Sequence, residues 1–124
     1  MKVGRIYATP DGESHIGELD IALTQNEDRP LFYNSTRFEA TTVGFQHVRA
    51  GGATTWHNPP QPWLAFILIG TWEIEASDGS HRQFPAGSVS LVEDTTGKGH
   101  RGWAVGDADV LVAAVSLAEM EIIA

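Results

Sequence analysis

The sequence contains no cysteine, which excludes disulfide bridges, thiol nucleophiles and thiolate metal sites. It also has no long hydrophobic run: the apolar stretch 63–69 is far shorter than the roughly 20 residues that span a bilayer. Basic residues are few, eight against sixteen acidic ones, so the net charge is −8. Such a surface repels phosphate backbones and anionic lipids, which predicts no nucleic-acid partner and no membrane partner.

The first residues, MKVGRIYATPDGE, lack the apolar core of a secretory signal. Together with the missing cysteines, this predicts a cytoplasmic protein. A chain of 124 residues fits one domain. A domain of this size buries roughly two-thirds of the surface that its unfolded chain exposes. We therefore expect a single domain over residues 1–124 that folds without a disulfide or a structural metal.

Glycine and proline divide the chain into short β-prone segments. There are thirteen glycines and six prolines, and no long window keeps a helical period. This pattern is typical of an all-β sandwich or barrel. We predict N-terminal strands and a cover over residues 1–40, and the barrel core over residues 41–117. Within the core, residues 53–57 are predicted as a strand, and the tail 118–124 as a strand or a short helix.

The stretch 54–75, TTWHNPPQPWLAFILIGTWEIE, is the centre of the predicted fold. It contains a histidine, a proline-rich bend, an apolar strand at 63–69, a turn at Gly70 and a returning strand. The apolar strand is hydrophobic on both faces, so both faces need cover. One face belongs to the core, and the other requires a further layer or a second subunit. We therefore predict a homodimer.

Two histidines, His57 and His100, are the first candidates for chemistry. Neutral imidazole binds divalent metals, and it also exchanges protons near neutral pH. Glu93 and Asp94 begin the loop that leads to His100, and a carboxylate in an apolar pocket can act as an acid or a base. We place Glu93 with the two histidines as catalytic candidates. The alternative for the two acids is a salt bridge to a basic residue: Lys98, Arg101 or Arg49.

The spacing from Gly51 to Gly70 resembles the first motif of the cupin superfamily. Gly51 is followed by five residues and His57, and Gly70 closes the motif. Pro59 stands at the position of the second histidine of that motif, and Trp63 stands at the position of its carboxylate. The resemblance therefore implies a metal-binding motif that has lost two of its four ligands.

The second cupin motif is also present. Pro85-Ala86-Gly87 opens it and His100 closes it. The segments WHNPP, GTWEIEASDG, FPAGSVSLVEDTTGKGH and DGESH together resemble small single-domain bacterial cupins. This resemblance implies a double-stranded β-helix, the cupin jelly-roll barrel, commonly dimeric, with a pocket inside the barrel mouth. It also implies that Gln46 points into the pocket and His47 points away from it.

Trp63 changes what this pocket is expected to hold. A large ring replaces a metal ligand, and it either offers a stacking face to an aromatic, planar or cationic ligand or fills the barrel. His57 and His100 remain as candidate metal ligands, but we expect no required cofactor and keep a divalent metal as the alternative. The predicted substrate-binding residues are Trp63, Gln46, Gln61, Ala65, Ile67 and Trp72.

Three functions fit these residues. The favoured one is an enzyme that performs acid–base chemistry of the isomerase, lyase or cyclase type on a small organic molecule, with His57 and His100 acting beside Trp63. The second is a cupin that binds a small ligand without catalysis. The third is a metal-dependent dioxygenase or hydrolase.

Overall fold

The computed structural model describes residues 1–118. This part of the chain is built from strands alone, so it holds no helix that could cross a membrane. The strands, in chain order, are β1 (Lys2–Ala8), β2 (Ser14–Asp20), β3 (Thr24–Gln25), β4 (Tyr33–Asn34), β5 (Ala40–Val48), β6 (Trp63–Ile69), β7 (Thr71–Ala76), β8 (His81–Pro85), β9 (Val89–Val92), β10 (His100–Ala104) and β11 (Val110–Leu117). The all-β prediction is confirmed.

Two sheets form the walls of the barrel. The main sheet has six strands in the order β2-β1-β9-β6-β11-β5, and the smaller sheet has the order β10-β7-β8. Strands β1 and β9 are parallel, whereas the other paired strands are antiparallel. The main core cluster takes buried side chains from both sheets, so the sheets face each other. A small hairpin of β3 and β4 lies outside them.

The apolar strand β6 forms where it was predicted, and both of its faces are hydrophobic. It lies in the interior of the main sheet between β9 and β11. Side chains of a strand alternate between its faces. Trp63, Ala65 and Ile67 therefore face the smaller sheet, while Leu64 and Phe66 face outward.

Residues 1–20 form two strands of the main sheet, next to strands of the predicted barrel core. Strand β1 pairs with both β2 and β9, and Ile6 is fully buried in the main core cluster. Gly4 interrupts the apolar pattern of this strand for a packing reason. A Cβ at Gly4 would lie 2.5 Å from the ring of Phe84.

The segment 53–57 is not a regular strand, in contrast to the prediction. It contacts β10 through two isolated bridges, Ala53 to Trp103 and His57 to His100. The proline-rich bend that follows leaves no room for a longer ladder, because proline lacks the amide hydrogen that a ladder needs. The prediction for the tail falls mostly on residues 119–124, which lie outside the described residues.

The N-terminal segment covers half of the outer face of the main sheet. Ile21 and Phe38 pack against the outward side chains of β6 and β9, in a second core cluster around Leu91. This cover supplies the additional layer that the two-faced strand requires, for the part of the sheet that it reaches.

The other half of the outer face is uncovered in the single chain. Strand β5 is the edge of the main sheet, and its Val43 and Phe45 are 65% and 72% exposed. Leu68 and Ile69, at the end of β6, are also exposed. Edge strands are usually protected by charged residues or proline, but Ala40–Val48 has no acidic residue, lysine, arginine or proline. In a chain of net charge −8, a strip without acidic residues is a surface at which two copies would repel each other little.

We predict that a second copy of the chain covers this strip. Light scattering at micromolar concentration is expected to give twice the chain mass of 13.4 kDa. The variant Val43→Glu places a charge in the strip and is expected to yield monomers. Leu31→Glu, at an equally apolar position on the outer hairpin, is the matched control and is expected to stay dimeric. A monomeric wild-type protein would contradict the prediction.

Candidate functional site

A cavity of about 380 Å³ lies between the two sheets. Its walls are mostly apolar, as is usual for sites that bind small organic molecules. The main sheet contributes Gly44, Phe45, Gln46, Val48, Trp63, Ala65, Ile67, Ser90, Val92, Val112 and Ala114. The smaller sheet and the preceding loop contribute Thr54, His57, Trp72, Ile74, Phe84, His100 and Gly102.

His100 is a buried polar group of this cavity. It is 5% exposed and begins β10. Its Nδ1 lies 2.7 Å from Oδ2 of Asp94. An ionised carboxylate can only accept hydrogen bonds, so Nδ1 carries the hydrogen and donates it. The nitrogen that His100 leaves for a ligand is therefore Nε2.

His57 is held in the same tautomer. Its Nδ1 lies 2.8 Å from the carbonyl oxygen of Thr55, which can only accept. The rings of His57 and His100 have centroids 4.6 Å apart, and their backbones are joined by two hydrogen bonds of 2.9 and 3.0 Å. Gly99 permits this approach: it has a φ of 76°, and a Cβ there would collide with the carbonyl oxygen of His57.

Asp94 is fully buried and holds His100 in place. Its Oδ2 also accepts a hydrogen bond of 2.9 Å from the hydroxyl of Ser14, at the start of β2. Its Oδ1 has no partner among the described residues. Asn58 fixes the loop from behind, because its side-chain amide donates to the carbonyl oxygens of Asp94 and Thr96 at 2.9 and 3.1 Å. The carboxylate therefore joins two distant parts of the chain at the histidine.

The segment Asp11–His15, the DGESH sequence, closes over the loop that carries Asp94. Glu13 accepts hydrogen bonds from Lys98 and from Ser77, the latter at 2.7 Å. The bond from Lys98, followed by that from Ser77, holds the pKa of Glu13 below its usual value, and Glu13 raises the pKa of Lys98 in turn. His15, in the same segment, pairs with Asp78 of the β7–β8 turn at 2.8 Å. These contacts tie β2, the β7–β8 turn and the loop before β10 together.

The structure places most of the predicted substrate-binding residues in the cavity. Those that line it are Gln46, Trp63, Ala65, Ile67 and Trp72. His47 points away from the cavity, as the resemblance implied. It pairs with Asp109 at 2.9 Å.

Gln61 does not line the cavity, so the prediction for this residue is wrong in position. Gln61 is exposed at the proline-rich bend, whereas Pro59 of the same bend is buried. Prolines on both sides of Gln61 fix the backbone angles of the bend, and its side chain stays in solvent.

Glu93 is also misplaced by the prediction. Its side chain is 1% exposed, but its Oε1 accepts from Nε of Arg5 rather than facing the cavity. Alternation along β9 explains this: Ser90 and Val92 line the cavity, so Glu93 points to the opposite side. The salt-bridge alternative describes Glu93 correctly, although the partner is Arg5 and none of the three proposed basic residues.

Sequence reasoning missed Ser14 entirely. It lies 80 positions from Asp94, so no local spacing connects the two residues. The one available signal is the DGESH segment itself, which belongs to the resemblance to small cupins and contains both Glu13 and Ser14.

The residues present do not fit the metal centre that the fold family implies. Within residues 1–118 there is no group of three or more His, Asp or Glu side chains arranged to hold a metal ion. His57 and His100 supply two nitrogens, while Pro59 and Trp63, at the other two ligand positions, offer no donor. Asp94 does not complete the set, because its carboxylate is engaged at Nδ1 of His100, away from Nε2.

The cavity depends on a glycine beneath Trp72. A Cβ at Gly102 would lie 2.6 Å from the indole. Gly102→Ala is therefore expected to displace Trp72 and to lower the free energy of unfolding by about 1–3 kcal/mol. Gly44→Ala is the matched control, since a Cβ there meets nothing within 4 Å. Urea unfolding followed by tryptophan fluorescence measures both, and equal stabilities would contradict the packing argument.

The Asp94 carboxylate is expected to dictate the tautomer of His100. In Asp94→Asn the amide can donate as well as accept, so it no longer selects the Nδ1–H form. We expect a mixture of tautomers in the ¹⁵N chemical shifts of the ring, together with a loss of about 3 kcal/mol in stability. Asp78→Asn, at the half-buried partner of His15, serves as the control. An unchanged His100 ring spectrum would refute the role of Asp94.

Several solved structures share this architecture. No protein-family model and no curated protein sequence matches the chain. A cupin domain from Bordetella pertussis is 16% identical, with a TM-score of 0.52 over 82% of this chain and 96% of that one. A Cupin 2 conserved barrel domain protein from Salinispora arenicola is 22% identical, with a TM-score of 0.50 over 61% and 62%. The cupin domain of Drosophila melanogaster CENP-C is 12% identical, with a TM-score of 0.51 over 78% and 75%. The chain therefore has the cupin fold, the all-β jelly-roll barrel that the sequence resemblance predicted.

Proposed function

We propose that this chain binds a small organic molecule in its cavity and catalyses proton transfer on it, in a reaction of the isomerase, lyase or cyclase type. One observation carries the proposal: His100 is buried in the cavity wall, with Nδ1 held by a buried carboxylate and Nε2 left for a substrate. This is the arrangement of an oriented general base.

Each part of the site has a role in this reaction. Nε2 of His100 takes a proton from the substrate and returns it to another atom of the same molecule. Asp94 stabilises the imidazolium that forms in between, because its negative charge lies 2.7 Å from Nδ1. His57 holds a polar substrate atom beside the reacting centre. The mostly apolar walls lower the local polarity around the substrate, which strengthens these electrostatic interactions.

A second function is favoured by the composition of the walls. Apart from the two histidines, the lining residues are apolar or carry neutral polar groups such as those of Gln46, Thr54 and Ser90. A cavity of this kind also suits a protein that binds an apolar molecule without changing it. The cupin fold by itself does not decide between the two functions, because one fold hosts many activities.

Hydrogen exchange at carbon separates the two functions. Enolisable aryl ketones that carry a hydroxyl, such as 7-hydroxy-1-tetralone, are incubated with the protein in deuterated buffer, and deuterium uptake at carbon is measured by mass spectrometry. We expect the wild-type protein to accelerate uptake and His100→Asn to lose at least tenfold of that acceleration, about 1.4 kcal/mol of transition-state stabilisation.

The control for this experiment is His81→Asn. His81 pairs with Glu73 on the surface and does not line the cavity, so uptake is expected to stay at the wild-type rate. Binding of the ketones without any acceleration would favour the non-catalytic function. An equal rate in His100→Asn would rule out His100 as the base.

A further inference from the structure

The cavity walls carry no permanently charged group. None of the described lining residues is Asp, Glu, Lys or Arg, and the titratable side chains among them are His57 and His100. A charged ligand entering an apolar site without an opposite charge loses its hydration and gains no compensating pair, which costs several kcal/mol. The net charge of −8 opposes anions further. The walls therefore favour an uncharged ligand.

The two histidines present acceptors and no donors. Both rings use their N–H on the protein, His57 on the carbonyl oxygen of Thr55 and His100 on Asp94. In the neutral rings both Nε2 atoms are then bare lone pairs. The nearby hydroxyl of Thr54 is already engaged, since it donates to the carbonyl oxygen of Gly102 at 3.5 Å and accepts from the amide of Gly102 at 2.9 Å. A ligand that satisfies this end of the cavity has to bring the hydrogen itself.

The shape of the cavity favours a flat molecule. Trp63 is on β6 of the main sheet and Trp72 is on β7 of the smaller sheet, so the two indoles belong to opposite walls. The other wall positions include the small residues Gly44 and Ala65, and Gly102 leaves its own space to the indole of Trp72. Indole faces stack well on planar rings.

We infer that the ligand is an uncharged planar ring compound bearing a hydroxyl or N–H, of the phenol or enol type, which donates its hydrogen to Nε2 of His57 or of His100. This inference rests on the proposed function only in taking the cavity as the binding site. It assigns the ring to the tryptophan walls and the donor to the histidine end.

Three probes of matched shape test the inference by calorimetric titration at pH 7. 2-Naphthol is uncharged and has the donor, 2-methoxynaphthalene lacks the donor, and 2-naphthoate carries a charge. We expect 2-naphthol to bind at least tenfold more tightly than either of the others, because the unpaired acceptors reject a ligand without a hydrogen.

Two variants locate the donor. Asparagine can keep the N–H that each histidine gives to the protein, but it has no counterpart of Nε2. In at least one of the variants His57→Asn and His100→Asn, the affinity for 2-naphthol is expected to fall to that for 2-methoxynaphthalene. His81→Asn, outside the cavity, is expected to keep the wild-type preference. Thermal unfolding of each variant verifies that it is folded.

The outcomes separate this inference from the proposed function. If 2-methoxynaphthalene or 2-naphthoate binds as tightly as 2-naphthol, the ligand class is wrong but binding in the cavity survives. The same holds if 2-naphthol keeps its advantage in both asparagine variants. If no probe binds at about 1 mM, a free energy of only about −4 kcal/mol, both the ligand class and the binding function are overturned.

Discussion

The hydrogen bonds to one buried carboxylate, Asp94, organise the site and much of the chain around it. A fully buried charge is unstable unless donors surround it. The donors here are Ser14 at the start of β2 and His100 at the start of β10. Satisfying Asp94 therefore requires that the DGESH segment closes over the loop before β10. The ring orientation of His100 is a consequence of that closure.

A second constraint is the alternation of side chains along the main sheet. It sends one set of apolar residues into the cavity and the other set to the outer face, and both sets have to be covered. Ile21 and Phe38 cover the outer set near Leu91, but they do not reach β5. Strand β5 carries Gln46, which lines the cavity, and Val43, which is exposed in the uncovered strip, so the same strand borders both. Coverage by a second copy would thus affect the rim of the site.

The sequence predicts features that follow a periodic pattern, but it does not predict contacts between residues far apart in the chain. Alternation and turn residues were sufficient for β6 and for the returning strand, whereas the cavity face of β5 followed from the resemblance to cupins. The same alternation, followed through Ser90 and Val92, turns the side chain of Glu93 away from the cavity. Glu93 and Asp94 therefore point to different sides, although both begin the same loop. The contact of Ser14 with Asp94 spans 80 positions and has no periodic signal. The position of Gln61 outside the cavity was not predicted, because a bend between prolines does not follow strand alternation.

The chemistry of the site follows from which ring nitrogens of His57 and His100 carry a hydrogen. In a cupin metal centre the lone pairs of the histidines point at a cation, and further ligands complete its shell. The resemblance puts Pro59 and Trp63 where those further ligands would stand, and neither side chain can bind a cation. The protein directs each Nδ1–H to an oxygen of its own. In the proposed function, the two histidines therefore accept a hydrogen from an uncharged molecule where a cupin metal centre would hold a cation.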